Sequence, residues 1–457
     1  MTELRLRPSK AAPSGPAPQA PGYAAANCIA DYTQQIDYAD DQTAIFNLAT
    51  GRYWTGARVQ ADGARRAVEE TRGGDSAHDR LTGAEDGFLK MQAEQPRKTA
   101  IVLLPTYGCN LGCTYCYEGK LTRRQAYWSE ADARTAAQAS LAFLKERGVS
   151  AAEASLTILG GEPVRHDNID ALCALMSAAC EGGLNEIQLI TNGVDLAPHA
   201  GRLHAAGARS VMISLDGPKA VHDKRRPRFK DARSSYEDSI KGVAAALEAG
   251  LGVTIRVNTD GSNVATLVDL GMEFHRHGFW AHPDFRAYIY PISSDFRTNR
   301  KFTPEAELAQ ALAQTAADNP ILHAFLWELH GLEAVYAIRN GEPLRPKLRY
   351  CGATLDQYVM DIDWNIYPCW FGTGKDGFKL GEFDPGSGRM TVDGALDRAW
   401  RSRGPASMEP CSSCKWAMVC GAGCAFKSHL RTGDFAQPNC SDFDAILQSA
   451  GRALLEA

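Results

Sequence analysis

Tyr107-Gly-Cys109-Asn-Leu-Gly-Cys113-Thr-Tyr-Cys116-Tyr117 follows directly on an apolar run, Thr99 to Leu104. The spacing C-x3-C-x2-C places three thiols in one short loop at the end of a β-like segment. Three thiolates hold three irons of a four-iron cluster and leave the fourth without a protein ligand, where four Cys per cluster is the ordinary complement. A zinc site would need a closed set of four N or S ligands, typically as two pairs from separate turns. The loop therefore favours an iron–sulfur cluster with one open, reactive iron.

Outward from this loop, residues 99 to about 292 alternate between β-like and helical patterns. Strands are expected at Ala100 to Leu104, Ser155 to Leu159, Glu186 to Ile190, Ser210 to Ser214, Gly252 to Asn258 and Phe285 to Tyr290. Amphipathic stretches lie between them, at Glu130 to Arg147, Asn168 to Cys180, Tyr236 to Ala249 and Val264 to His277. Short apolar strands alternating with helices imply a parallel sheet with helical crossovers.

The whole chain, 457 residues with 44% hydrophobic content, buries a full core in two or three domains. A net charge of -5 gives no reason to expect nucleic-acid or membrane binding, and no apolar run is long enough to span a bilayer. Residues 1–27 are rich in Pro and Ala without an apolar segment, which argues for a flexible tail rather than a signal peptide; Cys28 is then an ordinary thiol. Thirteen Cys without an export signal point to metal rather than disulfides, and hence to a reducing cytoplasm.

Other residues at strand ends suit a ligand site. Gly160-Gly161-Glu162-Pro163 follows the second strand, where glycines permit close backbone approach and a carboxylate suits an ammonium. Thr191-Asn192-Gly193 ends the third. The fourth runs into Ser214-Leu215-Asp216-Gly217-Pro218, then His222-Asp223 and Arg225-Arg226, within a basic run from Lys219 to Lys230 that otherwise reads as a solvated loop. Arg256 and Asn258 on the fifth strand suit the sheet interior or its rim equally. A second cysteine-rich region reads Cys351, Cys369, Cys411-x2-Cys414-x5-Cys420-x3-Cys424 and Cys440. A zinc ribbon would use four of these seven and leave three unexplained.

The loop at Cys109, Cys113 and Cys116, with Tyr115 before its last Cys, resembles that of the radical S-adenosylmethionine (SAM) enzymes. The second region resembles their SPASM extension. The resemblance covers residues 99 to 440. It implies a partial (β/α)6 TIM-like barrel, chemistry at its C-terminal strand ends, three 4Fe-4S clusters and S-adenosyl-L-methionine. Cosubstrate chelated at the open iron is cleaved to a 5'-deoxyadenosyl radical. Gly160, Gly161, Glu162 and Pro163 match the family's methionyl-binding segment, and Thr191 and Asn192 its nucleoside contact. Ser214, Asp216 and Arg226, paired by spacing as Ser214 with Arg226, match a cosubstrate-holding segment. Of the seven later cysteines, Cys411, Cys414, Cys420 and Cys440 fall to an outer auxiliary cluster, and Cys351, Cys369 and Cys424 to an inner one. The inner set lacks a fourth Cys. An open iron, a water, or an oxygen from Asp356 or Asp363 is expected there, with Gln357 also near the place; Cys173 and Cys180 read as core. Trp364 stands where the SPASM pattern has Gly, so the turn before Cys369 is expected to be made differently.

The expected division is a tail (1–27), a small α+β, winged-helix-like module (28–98), the barrel (99–300), a helical linker (301–348), the SPASM domain (349–445) and a C-terminal helix (446–457). Within the module, Thr33 to Trp54 alternates, with a turn at Thr50-Gly51, and helical stretches follow at Ala61 to Thr71 and Glu85 to Ala93. Many maturases of ribosomally made peptides bind a leader peptide on such a module by strand addition; a structural cap is the plain alternative. The resemblance implies peptide cross-linking, favouring a thioether over a carbon–carbon bond, with a precursor peptide and a flavodoxin- or ferredoxin-like reductant as partners. The alternatives are sulfatase-type oxidation of Ser or Cys to formylglycine, disfavoured by the long N-terminal segment and by Trp370 after Cys369, and a nonenzymatic electron carrier. No carboxylate stands out as proton acceptor.

Overall fold

A computed structural model describes residues 33–39, 41–48, 51–61, 64–65, 99–292, 303–375 and 377–457. Its strands are β1 (Thr33–Tyr38), β2 (Gln42–Asn47), β3 (Arg52–Ala57), β4 (Thr99–Leu104), β5 (Ala154–Ile158), β6 (Ile187–Thr191) and β7 (Ser210–Leu215). They continue as β8 (Gly252–Thr259), β9 (Phe285–Pro291), β10 (Leu326–Trp327), β11 (Gln357–Asp361), β12 (Asn365–Tyr367), β13 (Gly381–Asp384) and β14 (Arg389–Val392). The six barrel strands expected from the alternating pattern are all present, displaced by a residue or two at their ends.

The barrel is an open α/β sheet ordered β10-β9-β8-β7-β6-β5-β4-β11-β12-β13-β14. Strands β4 to β9 run parallel, and parallel β10 and β11 extend them at either side. The six expected strands are therefore flanked by two more. Strand β10 falls inside the stretch expected as a helical linker, which also holds helices at Glu305–Asp318 and Glu333–Asn340. Strands such as β4, Thr-Ala-Ile-Val-Leu-Leu, are apolar on both faces because helices cover one and the barrel interior the other. Helix Glu130–Glu146 starts where Ser129 and Asp132 cap each other's backbone N–H. It buries Ala133, Ala136, Ala137, Ser140, Phe143 and Leu144, one stripe at helical spacing, against the sheet.

Beyond β11 the sheet turns antiparallel through β12, β13 and β14, so the cysteine-rich region grows out of the barrel sheet itself. The described N-terminal residues form an antiparallel sheet, β1-β2-β3, with Gly51 at φ +69 in the second turn. Its β1 edge lies on the end of the chain: the Ala39 N–H donates to the Glu456 carboxylate, and the Gln448 amide to the Gln35 carbonyl, each at 2.8 Å. Thr50, Cys28 and most of the two expected N-terminal helical stretches lie outside the described residues. The C-terminal helical segment begins at Phe443 and passes through a π-turn, Leu447–Gly451, before Arg452–Glu456.

One expectation needs correction. The basic run after Gly217 is no solvated loop, since Lys219–Arg225 is a helix and its cationic end folds inward. Arg225, Arg226 and Arg228 find buried carboxylates at Asp216 and Asp260 and a partly buried one at Asp238. A charge count along the chain does not show these partners, which come from three different elements.

Candidate active site

The three-thiol loop leaves β4 and lies across the mouth of the barrel. Its backbone bonds to the segment after the Lys219–Arg225 helix: Gly112 N–H donates to the Pro227 carbonyl at 2.7 Å and Thr114 N–H to the Arg225 carbonyl at 3.0 Å. Tyr115 is the side-chain anchor. Its hydroxyl donates to Asp216 at 2.6 Å and accepts from Arg226 at 2.8 Å and Asn258 at 3.2 Å. Asp216, fully buried, also accepts from Arg225 at 2.8 Å. Asp216 and Arg226 thus meet Tyr115 and each other rather than Ser214, which is half-buried on the inward face of β7 beside Arg256. Arg256 lies inside the barrel, its guanidinium 3.7 Å from the centre of the Tyr290 ring.

Gly160 and Gly161 serve a close approach, made here to the cluster loop. A Cβ at Gly160 would stand 2.3 Å from the Thr106 carbonyl oxygen, and one at Gly161 2.1 Å from that of Tyr107. Glu162 N–H donates to the Gly108 carbonyl at 2.9 Å. Pro163 completes this turn. The buried Glu162 carboxylate accepts from Thr191 at 2.5 Å, Asn192 N–H at 2.6 Å and Val164 N–H at 2.8 Å. Burial raises its carboxyl to about 7 even against those three bonds. The Asn192 amide reaches Asn110 of the loop at 2.7 Å.

Every cysteine among the described residues is a free thiol, and the seven later ones assort into two sets. Burial and the neighbouring charges of Cys440 and Cys414 raise Cys411 to about 12; burial and Cys411, Cys440 and Cys414 raise Cys420 to about 12. Burial and Cys424 raise Cys351 to about 11, and burial with Cys351 and Cys424 raises Cys369 further. In the loop, burial raises Cys109, Cys113 and Cys116, with the charge of Cys113 adding to it at Cys109. Closely set thiols that oppose one another's ionisation, of which Cys109, Cys369 and Cys411 are buried and Cys351 and Cys440 exposed, fit a cationic cluster. No three Cys, His, Asp or Glu side chains among the described residues meet at the spacing of one metal ion. Cys173 and Cys180 stand apart on the Ile169–Glu181 helix, near Arg202 and Arg209.

Three left-handed residues, Gly421, Ala422 and Gly423, separate Cys420 of one set from Cys424 of the other. A side chain at Gly423 would meet the Asn439 carbonyl at 1.9 Å, so this turn lies directly on the segment leading to Cys440. Arg403, which the sequence reading missed, holds it. Its buried guanidinium donates to the carbonyls of Ala422 at 2.7 Å, Gly423 at 3.2 Å, Phe435 at 2.5 Å and Gln437 at 2.8 Å. A lone Arg between Ser402 and Gly404 carries no motif that would have exposed it.

Two oxygen ligands considered for the inner set point elsewhere. Asp356 pairs with Arg147 at 3.2 Å and Asp363 with Arg124 at 2.5 Å. Gln357 remains close, its amide donating to the Pro368 carbonyl at 3.0 Å. Trp364 itself takes the left-handed conformation at φ +66 and stacks on Trp128 at 5.0 Å.

Residues 103–270 match the model of the Radical SAM superfamily. A GTP 3',8-cyclase of Rhizobium etli is 30% identical over 174 residues, which is 37% of this chain and 46% of that protein. The chain thus spans about half the length of the curated relatives it matches. Among solved structures, native anSMEcpe with bound AdoMet superposes with a TM-score of 0.55 at 17% identity, covering 78% of this chain and 96% of that one. Streptococcus suis SuiB bound to precursor peptide SuiA gives 0.54 at 16%, covering 89% and 99%. Residues 103–270 thus match a Radical SAM domain, a family that implies a 4Fe-4S cluster and S-adenosylmethionine, in a fold shared with anSMEcpe and SuiB.

Proposed function

We propose that the protein is a radical SAM/SPASM enzyme that cross-links a ribosomally made peptide, with a thioether as the favoured product. The observation that carries this reading is the inner thiol set. Cys351, Cys369 and Cys424 gather beside the barrel opening near Tyr290 and Tyr350, and no fourth cysteine joins them among the described residues. Loaded there, an auxiliary cluster would accept the electron that ring closure releases and offer one iron to a substrate thiolate. Cys109, Cys113 and Cys116 would hold the cluster that cleaves the cosubstrate, and Cys411, Cys414, Cys420 and Cys440 the outer one.

The chain's own groups would do the rest. The Glu162 carboxylate and the Gly160-Gly161 backbone form one wall of the cosubstrate site, with Thr191 and Asn192 behind them. Tyr115, Asp216 and Arg226 fix the cluster loop, and Ser214 faces the interior. The barrel excludes water from a radical that would otherwise be quenched. Among the described residues the outer edge of β3 pairs with no other strand, which supports leader binding by strand addition. The neighbour whose structure holds a precursor peptide supports a peptide partner. A flavodoxin- or ferredoxin-like protein would supply electrons. No helix among the described residues is long and apolar enough to cross a membrane.

Two other substrate classes are open to the same test. The anSMEcpe-like fold supports sulfatase-type oxidation, and the curated relatives' name supports a nucleotide, though their match covers only about a third of the chain. Anaerobic co-expression with the short open reading frame nearest the gene, followed by mass spectrometry with thiol alkylation, separates them. Loss of two hydrogens with one Cys no longer alkylated establishes a thioether. The same loss with every Cys alkylated means a carbon–carbon link. An unchanged peptide overturns the reading and directs assays to sulfatase peptides and GTP.

A further inference from the structure

The barrel interior holds several carboxylates, and nearly all are engaged. Glu162 accepts three hydrogen bonds, Asp216 and Asp260 pair with Arg225, and Glu305 pairs with His330 at 2.7 Å. Glu328 differs. It stands one residue past β10, where its N–H donates to the Ile289 carbonyl at 3.0 Å and extends the ladder. Trp327 and Leu329 beside it are buried on the outer, helix-packed face. Leu326, 48% exposed, and Glu328 therefore point the other way, into the barrel. Register confirms the face: Leu326 pairs with Tyr288, and Tyr288 pairs with Arg256. Among the described residues the Glu328 carboxylate makes no hydrogen bond or ion pair. It sits on the row of Asn258 and Tyr290, at the strand ends where the Tyr115 anchor lies.

Resting on the peptide-modifying reading above, we propose that Glu328 is the catalytic proton acceptor, taking the S–H proton as the substrate thiol becomes the thiolate that closes the new bond. The balance is as follows. The S–H bond breaks, its proton goes to Glu328, and the thiolate is left for the open iron. A substrate C–H bond gives its hydrogen atom to the 5'-deoxyadenosyl radical, forming 5'-deoxyadenosine. The carbon radical then bonds to the thiolate sulfur, and the remaining electron reduces an oxidised iron–sulfur cluster. Two hydrogens leave the peptide, one as an atom and one as a proton whose electron passes to the cluster.

The surroundings suit this role. Tyr288, Tyr290 and Arg256 face Glu328 from β9 and β8, with His330, Glu333 and Lys347 on the chain beyond. Glu328 is itself exposed at the barrel opening, yet the protein around it desolvates the carboxyl enough to raise it, against the lowering pull of Arg256 and His330. A carboxylate so placed binds a proton more readily than one in water.

The test compares wild type, Glu328→Gln and Glu328→Asp, measuring 5'-deoxyadenosine and peptide product in the same reaction. In E328Q, 5'-deoxyadenosine stays within about threefold of wild type while product falls by about 100-fold or more, and E328D restores part of it. Product formed by E328Q at the wild-type rate overturns the assignment. So does a parallel fall of both readouts in both variants, which marks a structural role. If wild type makes a product other than a cross-link, the reading above fails, and the same ratio in E328Q still judges Glu328. A readout without peptide stands beside these: the infrared difference between wild type and E328Q follows the carboxyl through its titration, above the ordinary glutamate range if the proposal holds. Titration within that range overturns it.

Discussion

The Tyr115 hydroxyl donates to the Asp216 carboxylate at 2.6 Å, tying the three-thiol loop to the end of a strand 101 residues later in the chain. Arg225 and Arg226 share that carboxylate. Asp216→Ala leaves two buried cations short of a partner and lowers stability by about 3–5 kcal/mol. Tyr115→Phe removes all three hydrogen bonds of the hydroxyl, to Asp216 and from Arg226 and Asn258, and costs about 1–3 kcal/mol for each partner left unsatisfied. Urea unfolding measures both, and an unchanged midpoint in D216A would contradict the anchoring role.

Stability without cosubstrate falls as pH rises from about 4.5 to about 7, in proportion to the ionisation of Glu162. Its folded carboxyl, raised from 4.5 to about 7, holds the proton more tightly than the unfolded chain does. The contribution is therefore complete below the unfolded value and lost as pH passes the folded one, a span of about 3 kcal/mol. Glu162→Gln removes this part of the slope. Denaturant midpoints measured across the range in both proteins show the difference.

Trp364→Gly relieves a left-handed backbone that costs a non-glycine residue about 1–2 kcal/mol. It also deletes the stack on Trp128 and the contact with Phe383 at 5.4 Å. Large-to-small losses of about 3–5 kcal/mol outweigh the relief, so the variant is less stable by about 2 kcal/mol. A higher melting temperature would show that strain dominates.

Arg403→Lys keeps the charge but loses the fork that holds four carbonyls between the two later thiol sets. Iron per chain falls, while the loop at Cys109 keeps its share and cosubstrate cleavage persists. Iron analysis and a 5'-deoxyadenosine assay on the same preparation check this. Equal iron in both proteins would remove Arg403 from the positioning of those sets.

Cys109→Ala abolishes cosubstrate cleavage, whereas Cys440→Ala spares part of it and loses product. Equal cleavage by wild type and C109A would refute the assignment of the loop.

Much of the barrel was legible because its strands are short, apolar on both faces and separated by amphipathic helices at Glu130, Asn168, Tyr236 and Val264. The thiol sets were legible from spacing. What the sequence hid was pairing over distance. Arg226 meets Tyr115 and Asp216, a contact between the cluster loop and a strand end that spacing alone does not show. Asp356 and Asp363 are near Cys351 and Cys369 in the chain, but arginines from the helix and loop after β4 claim them. Trp364 departs from a glycine pattern, and only the structure shows its left-handed φ and its stack on Trp128. Glu328 lies just past a strand of two residues, Leu326–Trp327, too short for any periodicity to reveal.

The parallel pairing of β11 with β4 makes the strand that feeds the three-thiol loop an interior one. A chain cut after residue 348 would strip that strand of a neighbour and bare a row of backbone donors and acceptors along Ala100 to Leu104. Such an apolar edge recruits other chains, so the shortened barrel should be recovered as aggregate, and the cysteine-rich segment acts as the barrel's own guard against self-association.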